Sequence, residues 1–339
     1  MAKYKRGVRS FKPESPPVLT AWASIAGKKE LEGPLKNTFD YTSTDTYFGE
    51  KTWEKAECKL QQLALDTLLE KSKHAMRDVD MIFSGDLLNQ CISSSFALRN
   101  TKLPALGLYG ACSTMAESLL LATMAISGGF GDRAIATTSS HFASSERQYR
   151  YPLGYGGQRT PTAQWTATGA GAVMVCASGT GPVVEAATIG TIRDLGITDA
   201  NNMGAAMAPA AFETIRQHME DLNTAPEDYD LIVTGDLGKV GKEIVRDQFY
   251  KIGVDLSGRY DDCGVLLFDI QKQDVHAGGS GCGCSAIVLC GHLLDEMKAG
   301  RIRRLLFCGT GALLSPTSTQ QGESIPGVCH AVSISRKEE

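Results

Sequence analysis

No stretch of this chain approaches the ~20 consecutive apolar residues that a membrane-spanning helix needs. The N-terminal Met1-Ala-Lys-Tyr-Lys-Arg-Gly-Val-Arg-Ser10 is basic but has no apolar core, so it does not read as a secretory signal. A soluble or at most peripheral protein is expected. Charge of one sign is also lacking: 34 Lys and Arg against 38 Asp and Glu leave a net charge of -4. That excludes a general drive toward nucleic acid. Clustered metal ligands are missing too. The one close cysteine pair, Cys282-Gly-Cys284, has no second pair and no His cluster at ligand spacing, so neither metal nor cofactor is expected. The 10 cysteines are scattered, and Cys176, Cys290 and Cys308 sit inside apolar runs. This is the pattern of a reducing compartment and not of a disulfide framework. Five basic residues precede the first acid, Glu14. They suit an anionic membrane surface or, by default, a frayed and solvated terminus.

What the chain has is length and glycine. Its 339 residues allow two core units, and its 36 glycines suit many tight strand-to-helix connections. The stretch that organises the rest is Leu108-Tyr-Gly-Ala-Cys112-Ser-Thr-Met-Ala-Glu117. A short apolar run ends at Gly110, and an apolar pattern at helical spacing follows through Met115, Leu119, Ala122 and Ile126 until Gly128-Gly129. This spacing predicts a strand end, a tight turn and a buried helix with Cys112 at its N-terminus. The free N–H groups and positive dipole end there favour a thiolate. Two roles stay open for Cys112: a nucleophile or anion site, or a small buried hydrophobe.

Along the chain, Val18–Ala26 reads as a strand and Trp53–Lys73 as an amphipathic helix. Met81–Phe83 and Ala134–Thr138 read as buried strands. From His141 to Trp165 no period is visible; the segment is rich in Arg, Tyr, Gln and Gly and reads as an irregular functional or interfacial stretch. Strand signals resume at 168–175 and 183–192. The second half then repeats the first. Asp228-Tyr-Asp-Leu-Ile-Val-Thr-Gly-Asp236-Leu matches Asp78 to Leu87 nearly position by position. Gly281-Cys-Gly-Cys-Ser-Ala matches the Cys112 turn, and Arg304-Leu-Leu-Phe-Cys308 matches the strand at Arg133. The expectation is an α/β protein of two halves, 1–178 and 179–339, with ligands beyond the strand C-termini where the halves join.

These motifs resemble the thiolase and ketoacyl-synthase superfamily over nearly the whole chain. Gly110-Ala-Cys112-Ser resembles its nucleophile turn, Thr168-Gly-Ala-Gly-Ala-Val the strand closing its first half, and Cys308-Gly-Thr-Gly-Ala its last-strand motif. His276-Ala-Gly-Gly-Ser-Gly falls where the superfamily carries its second-half His or Asn turn. More narrowly, Phe83-Ser-Gly-Asp-Leu-Leu-Asn-Gln90, Ser-Glu-Arg-Gln-Tyr-Arg-Tyr-Pro and Gly-Gln-Arg-Thr-Pro-Thr-Ala-Gln-Trp165 look like the stage V sporulation AD family. The resemblance implies a layered αβαβα fold and a homodimer. It also implies binding of pyridine-2,6-dicarboxylate (dipicolinate), with or without calcium. Together with the other stage V sporulation A proteins, such a protein takes part in moving that compound across the inner membrane of the spore.

A condensing enzyme needs a thiolate, neutral donors or bases and an oxyanion site. Asp236 stands at the strand end where condensing enzymes carry His or Asn. A carboxylate near the sulfur opposes thiolate formation and cannot donate to an oxyanion. The reading is therefore a binding protein and not an enzyme, with acyl transfer on Cys112 and His276, or a scaffold with no ligand, as alternatives. A flat dianion asks for guanidinium forks, N–H donors and an aromatic wall. The residues expected at the site are Cys112, His141, His276, Asn89, Arg147 and Arg150. Arg159, Tyr149, Tyr151 and Tyr155 lie in the same irregular segment. Asp86 and Asp236 end equivalent strands and serve either as helix caps or as groups facing a bound cation.

Overall fold

A computed structural model describes residues 2–150 and 158–336. Strands β1 (Val18–Ala26), β2 (Met81–Gly85), β3 (Ala105–Leu108), β4 (Arg133–Ser140) and β5 (Gly169–Cys176) lie in the spatial order β3-β2-β4-β5-β1. Strands β6 (Val183–Thr188), β7 (Leu231–Thr234), β8 (Tyr260–Asp262), β9 (Arg304–Ala312) and β10 (Gly327–Ser335) repeat it as β8-β7-β9-β10-β6. In each group three parallel strands are followed by two antiparallel ones. The two groups are joined through the single residue pair Val18–Val183. The repeat read from three short motifs thus extends to all ten of these strands.

The main helices are α1 (Trp53–Ser72), α2 (Ile92–Leu98), α3 (Thr114–Ser127), α4 (Phe142–Tyr149), α5 (Met203–Leu222), α6 (Gly238–Lys251), α7 (Cys263–Leu267) and α8 (Cys282–Val288), and a short one, Pro316–Gln320, follows the ninth strand. Helix α8 runs through a π-helical turn, Leu289–Leu293, into α9 (Leu294–Lys298). Helices α1 and α2 cover the outer face of the first sheet, and α5 with α6 covers the second. Helices α3 and α8 lie between the sheets, which gives the layered αβαβα order. Three apolar clusters follow from this. One fills the middle layer, one lies under α1, and one lies under α5 and α6.

Strand β5 shows how the sequence makes the layers. Val173 and Val175 point into the middle layer, while Ala170, Ala172 and Met174 point at the α1 side. On the middle-layer side Gly169 and Gly171 leave room for α8: a Cβ on Gly171 would sit 2.7 Å from the Ala286 carbonyl oxygen. The duplicated Asp-x-Asp motif keeps its work in both halves. Asp78 accepts the Ala75 N–H and Asp228 the Ala225 N–H, each closing a 3-10 turn. Asp80 accepts the N–H groups of Asp132 and Arg133, and Asp230 those of Arg303 and Arg304, so each fixes the start of the next central strand.

Two expectations need correction. The N-terminus is not frayed: Lys5–Arg6 pairs with Ser10–Phe11, and Asp221 on α5 accepts the N–H groups of Val8, Arg9 and Ser10. The segment from His141 is not irregular throughout, because Phe142–Tyr149 is helical. Its polar Ser144, Ser145 and Glu146 are buried, which hides the apolar period.

Candidate functional site

Cys112 sits in a 3-10 turn, Ala111–Ser113, between β3 and α3. Ala111 has φ +51°, a left-handed conformation that non-glycine residues seldom adopt, and it reverses the chain just before the cysteine. The turn seats on β9, where the Cys308-Gly-Thr-Gly sequence is bare. A Cβ on Gly311 would come within 2.6 Å of the Gly110 carbonyl oxygen, and one on Gly309 within 2.6 Å of the Ala116 Cβ. Between them Thr310 donates from Oγ1 to the Asp236 Oδ1 at 2.8 Å.

Asp236 is fully buried at the end of β7. Its Oδ2 accepts the Gly281 N–H at 2.9 Å and the Ser280 hydroxyl at 3.3 Å, and its charge acts on the neighbouring Cys112 thiol. Gly281, with φ +98°, brings its N–H there; a Cβ would meet the Ser140 Oγ at 2.8 Å. Burial pushes the Cys112 thiol well above its ordinary value, and the Asp236 charge pushes it further, while the Gly281 N–H opposes weakly. Burial likewise pushes the Asp236 acid up, against the hydrogen bonds it accepts. The thiolate expected from the helix start is therefore overridden: burial beside a carboxylate keeps Cys112 a neutral thiol.

In front of Cys112 lies a cavity of about 340 Å³, at the small end of ligand pockets. Leu87, Met203 and the 312–316 stretch give it apolar walls. Tyr109 and Tyr149 line it and share a hydrogen bond at 2.7 Å, and the Asn89 Oδ1 accepts from the Tyr109 hydroxyl at 3.1 Å. Arg150 is its one cation among the described residues. It pairs with Glu146 at 2.5 Å and donates to the Gln164 carbonyl at 3.2 Å. Glu146 also accepts the Thr166 hydroxyl through Oε1, and its Oε2 is buried without a partner among the described residues.

Of the expected site residues, Cys112, Asn89 and Arg150 line this cavity and Asp236 backs it. The others lie elsewhere. Asp86, at the equivalent strand end, accepts from the Leu88 N–H, the Ser94 N–H and the Ser94 hydroxyl and so holds the turn into α2. His141 caps α4: its Nδ1 accepts the Ala143 N–H at 3.2 Å, and its Nε2 lies 2.8 Å from the Thr46 carbonyl oxygen. Burial holds it below the ordinary imidazole range, so it is neutral. It lines a different cavity. His276 is partly exposed and faces Asp274 at 3.2 Å. Arg147 pairs with Glu54 and lies over Trp53. Arg159 pairs with Asp274 at 2.7 Å. Tyr151 and Tyr155 lie outside the described residues. The expectation that His141 and His276 would meet Cys112 is thus corrected. Both rings are held by backbone or surface partners of their own. From the His276 turn the residue that reaches the cavity is Ser280, four residues further on, delivered by the short parallel pairing of Gly279–Ser280 with Trp165–Thr166. Glu146, Tyr109, Thr166, Met203 and Ser280 are among the lining residues that sequence reasoning missed. Tyr109 and Ser280 had a signal, since they lie in the two glycine turns already singled out.

The family model described as Stage V sporulation protein AD matches residues 7–335. The stage V sporulation protein AD of Bacillus subtilis (strain 168) is 44% identical over 330 residues, covering 97% of each chain. Among solved structures, 3-oxoacyl-[acyl-carrier-protein] synthase III from Aquifex aeolicus VF5 aligns over 94% of this chain and 99% of its own, at 13% identity and a TM-score of 0.55. OleA from Xanthomonas campestris aligns over 96% and 99%, at 12% identity and a TM-score of 0.58. At these identities the two structures establish a thiolase-like fold and nothing more.

Proposed function

The chain belongs to the stage V sporulation protein AD family, and from that premise we propose that its Cys112 cavity receives dipicolinate, alone or as the calcium complex, without turning it over. In this role the protein acts with the other stage V sporulation A proteins in bringing the compound into the developing spore. It works at the inner membrane surface; no helix among the described residues is long and apolar enough to cross a membrane. The observation that carries the reading is the buried Asp236 carboxylate behind the Cys112 thiol in a small cavity. It holds the sulfur protonated and puts a carboxylate where acyl transfer needs a neutral donor. The remaining lining suits a flat carboxylate: the Arg150 guanidinium, the Tyr109 and Tyr149 rings, and the Thr166 and Ser280 hydroxyls.

The same reading includes a homodimer. Strand β3 is a free sheet edge with three of its four residues exposed, beside Phe96 and Tyr109, which are also half exposed. Such an edge is stable only when paired or covered. Acyl transfer on Cys112 is a second reading, favoured by one fact: Cys112 lines the cavity.

Calorimetric titration tests the proposal. Saturable binding of pyridine-2,6-dicarboxylate but not its 3,4 isomer, weakened in Arg150→Ala, is the expected result. No binding by the wild type sinks it, and a stable acyl adduct on Cys112, found by mass spectrometry, selects the second reading.

A further inference from the structure

A second cavity, about 570 Å³ in volume, shares no lining residue with the first. It lies where the loop after β1 meets the start of α1 and the His141–Ala143 turn. Its walls are aromatic. Trp53, Phe142 and Trp165 line it, and they include two of the three tryptophans of the chain. Phe142 and Trp165 stack at 3.7 Å with an interplanar angle of 8°, and the Lys29 Nζ lies 4.0 Å from the centre of the Trp165 ring.

Its polar groups converge in an unusual way. Lys28 and Lys29 both reach it, and neither is in an ion pair among the described residues. Asp274, Glu32 and Glu30 act on the Lys29 charge only at longer range, and burial works against it. Glu30, fully buried, lines the same cavity, as does Glu32. The Oε1 of Glu30 accepts the Thr168 N–H at 3.0 Å, while its Oε2 has no partner among the described residues. Burial pushes this acid up to about 7, so near neutrality its free oxygen carries a proton much of the time. A buried carboxyl with an unpaired O–H is costly until an acceptor arrives. His141 offers none, since both its nitrogens are engaged.

We propose that this cavity is a separate binding site for a planar organic anion of the arenecarboxylate class. Its ring lies against Trp53 and the Phe142–Trp165 stack, and its carboxylate lies among Lys28, Lys29 and the free oxygen of Glu30. The aromatic walls supply area for a flat ring. The lysines supply charge, and the Glu30 O–H supplies a directed hydrogen bond. The site works independently of whatever the Cys112 cavity holds.

Calorimetry with 2-naphthoate and its neutral analogue 2-naphthamide tests this. The expected result is saturable binding of the carboxylate, with the amide weaker by ~10-fold or more, the size of one lost charge interaction. Lys28→Ala combined with Lys29→Ala should weaken naphthoate by ~10-fold or more at unchanged melting temperature. Tyr109→Ala, in the other cavity, should leave it unchanged. Absence of saturable binding overturns the proposal. So does equal binding of the amide, indifference to the lysine changes, or loss of binding in Tyr109→Ala.

Discussion

Asp86 and Asp236 end the same strand in the two halves, each after a Gly and before a Leu, and both are buried. Their partners differ in reach. Asp86 spends its oxygens within eight residues, on Leu88 and Ser94. Asp236 spends its own across the molecule, on Thr310, Ser280 and Gly281, and its charge reaches Cys112 of the other half. The neighbouring duplicated acids, Asp78 with Asp228 and Asp80 with Asp230, do identical work. The comparison teaches that duplication preserves what builds each half, whereas the one position that faces the join is free to take a functional task.

The largest effect expected from breaking this comparison is on stability. Asp236→Ala leaves the Gly281 N–H and two hydroxyls unpaired in the interior and should cost about 4 kcal/mol. Asp86→Ala removes a local cap and should cost about 2 kcal/mol. Urea denaturation of the two variants ranks them, and equal losses would erase the distinction. Next in size is a pH effect that separates the halves at another pair of acids. Glu30 in the first and Asp262 in the second are both pushed up to about 7 by burial, but Asp262 accepts four hydrogen bonds from Thr234, Leu237, Gly238 and Gly264. A carboxyl raised in the folded state favours folding below its unfolded value, and that contribution is lost as pH rises through about 7. From pH 5 to 8 the wild type should therefore lose roughly 3 kcal/mol through Glu30. Glu30→Gln, which cannot ionise, should flatten that part of the profile in thermal melts.

A smaller effect is chemical. Because the Asp236 charge helps hold the Cys112 thiol up, Asp236→Asn should speed alkylation of Cys112 by iodoacetamide by ~10-fold at pH 8, about one pKa unit. Asp86→Asn should leave it unchanged, with peptide mass mapping as the readout. Smallest for the fold itself is the contrast of sheet edges. Strand β3 is exposed where its counterpart β8 is mostly buried. Leu106→Asp should dissociate a dimer in sedimentation velocity while shifting the melting temperature by no more than about 2 °C.

Much of the fold was legible because its signals are local. The strand at Val18–Ala26 and the helix from Trp53 are continuous apolar patterns, and Asp-x-Asp is a short capping motif whose job recurs. The site was legible only as far as its turns. Cys112 and Asp236 stood out because a glycine and a strand end mark them. His276 drew attention as a titratable residue beside glycines, yet the chain runs four residues further before it reaches the cavity. Which residue of a turn faces a pocket depends on the pairing of Gly279–Ser280 with Trp165–Thr166, a contact between halves that no local pattern records. Glu146 was hidden for a related reason. A helix that buries serines and a glutamate shows no apolar stripe.

The pairing of β1 with β5 and of β6 with β10 also sets a clock on synthesis. Val18 finds its partner only when Cys176 has been made, and Val183 only when Ser335 has. At typical rates of elongation each wait is roughly 10–30 s. During the second wait the first sheet can already close, while β6 and β9 both lack the strand that lies between them. A chain that stops short of Gly327 thus presents a finished half fused to one with two open edges, a form that quality-control proteases can tell from the full-length protein.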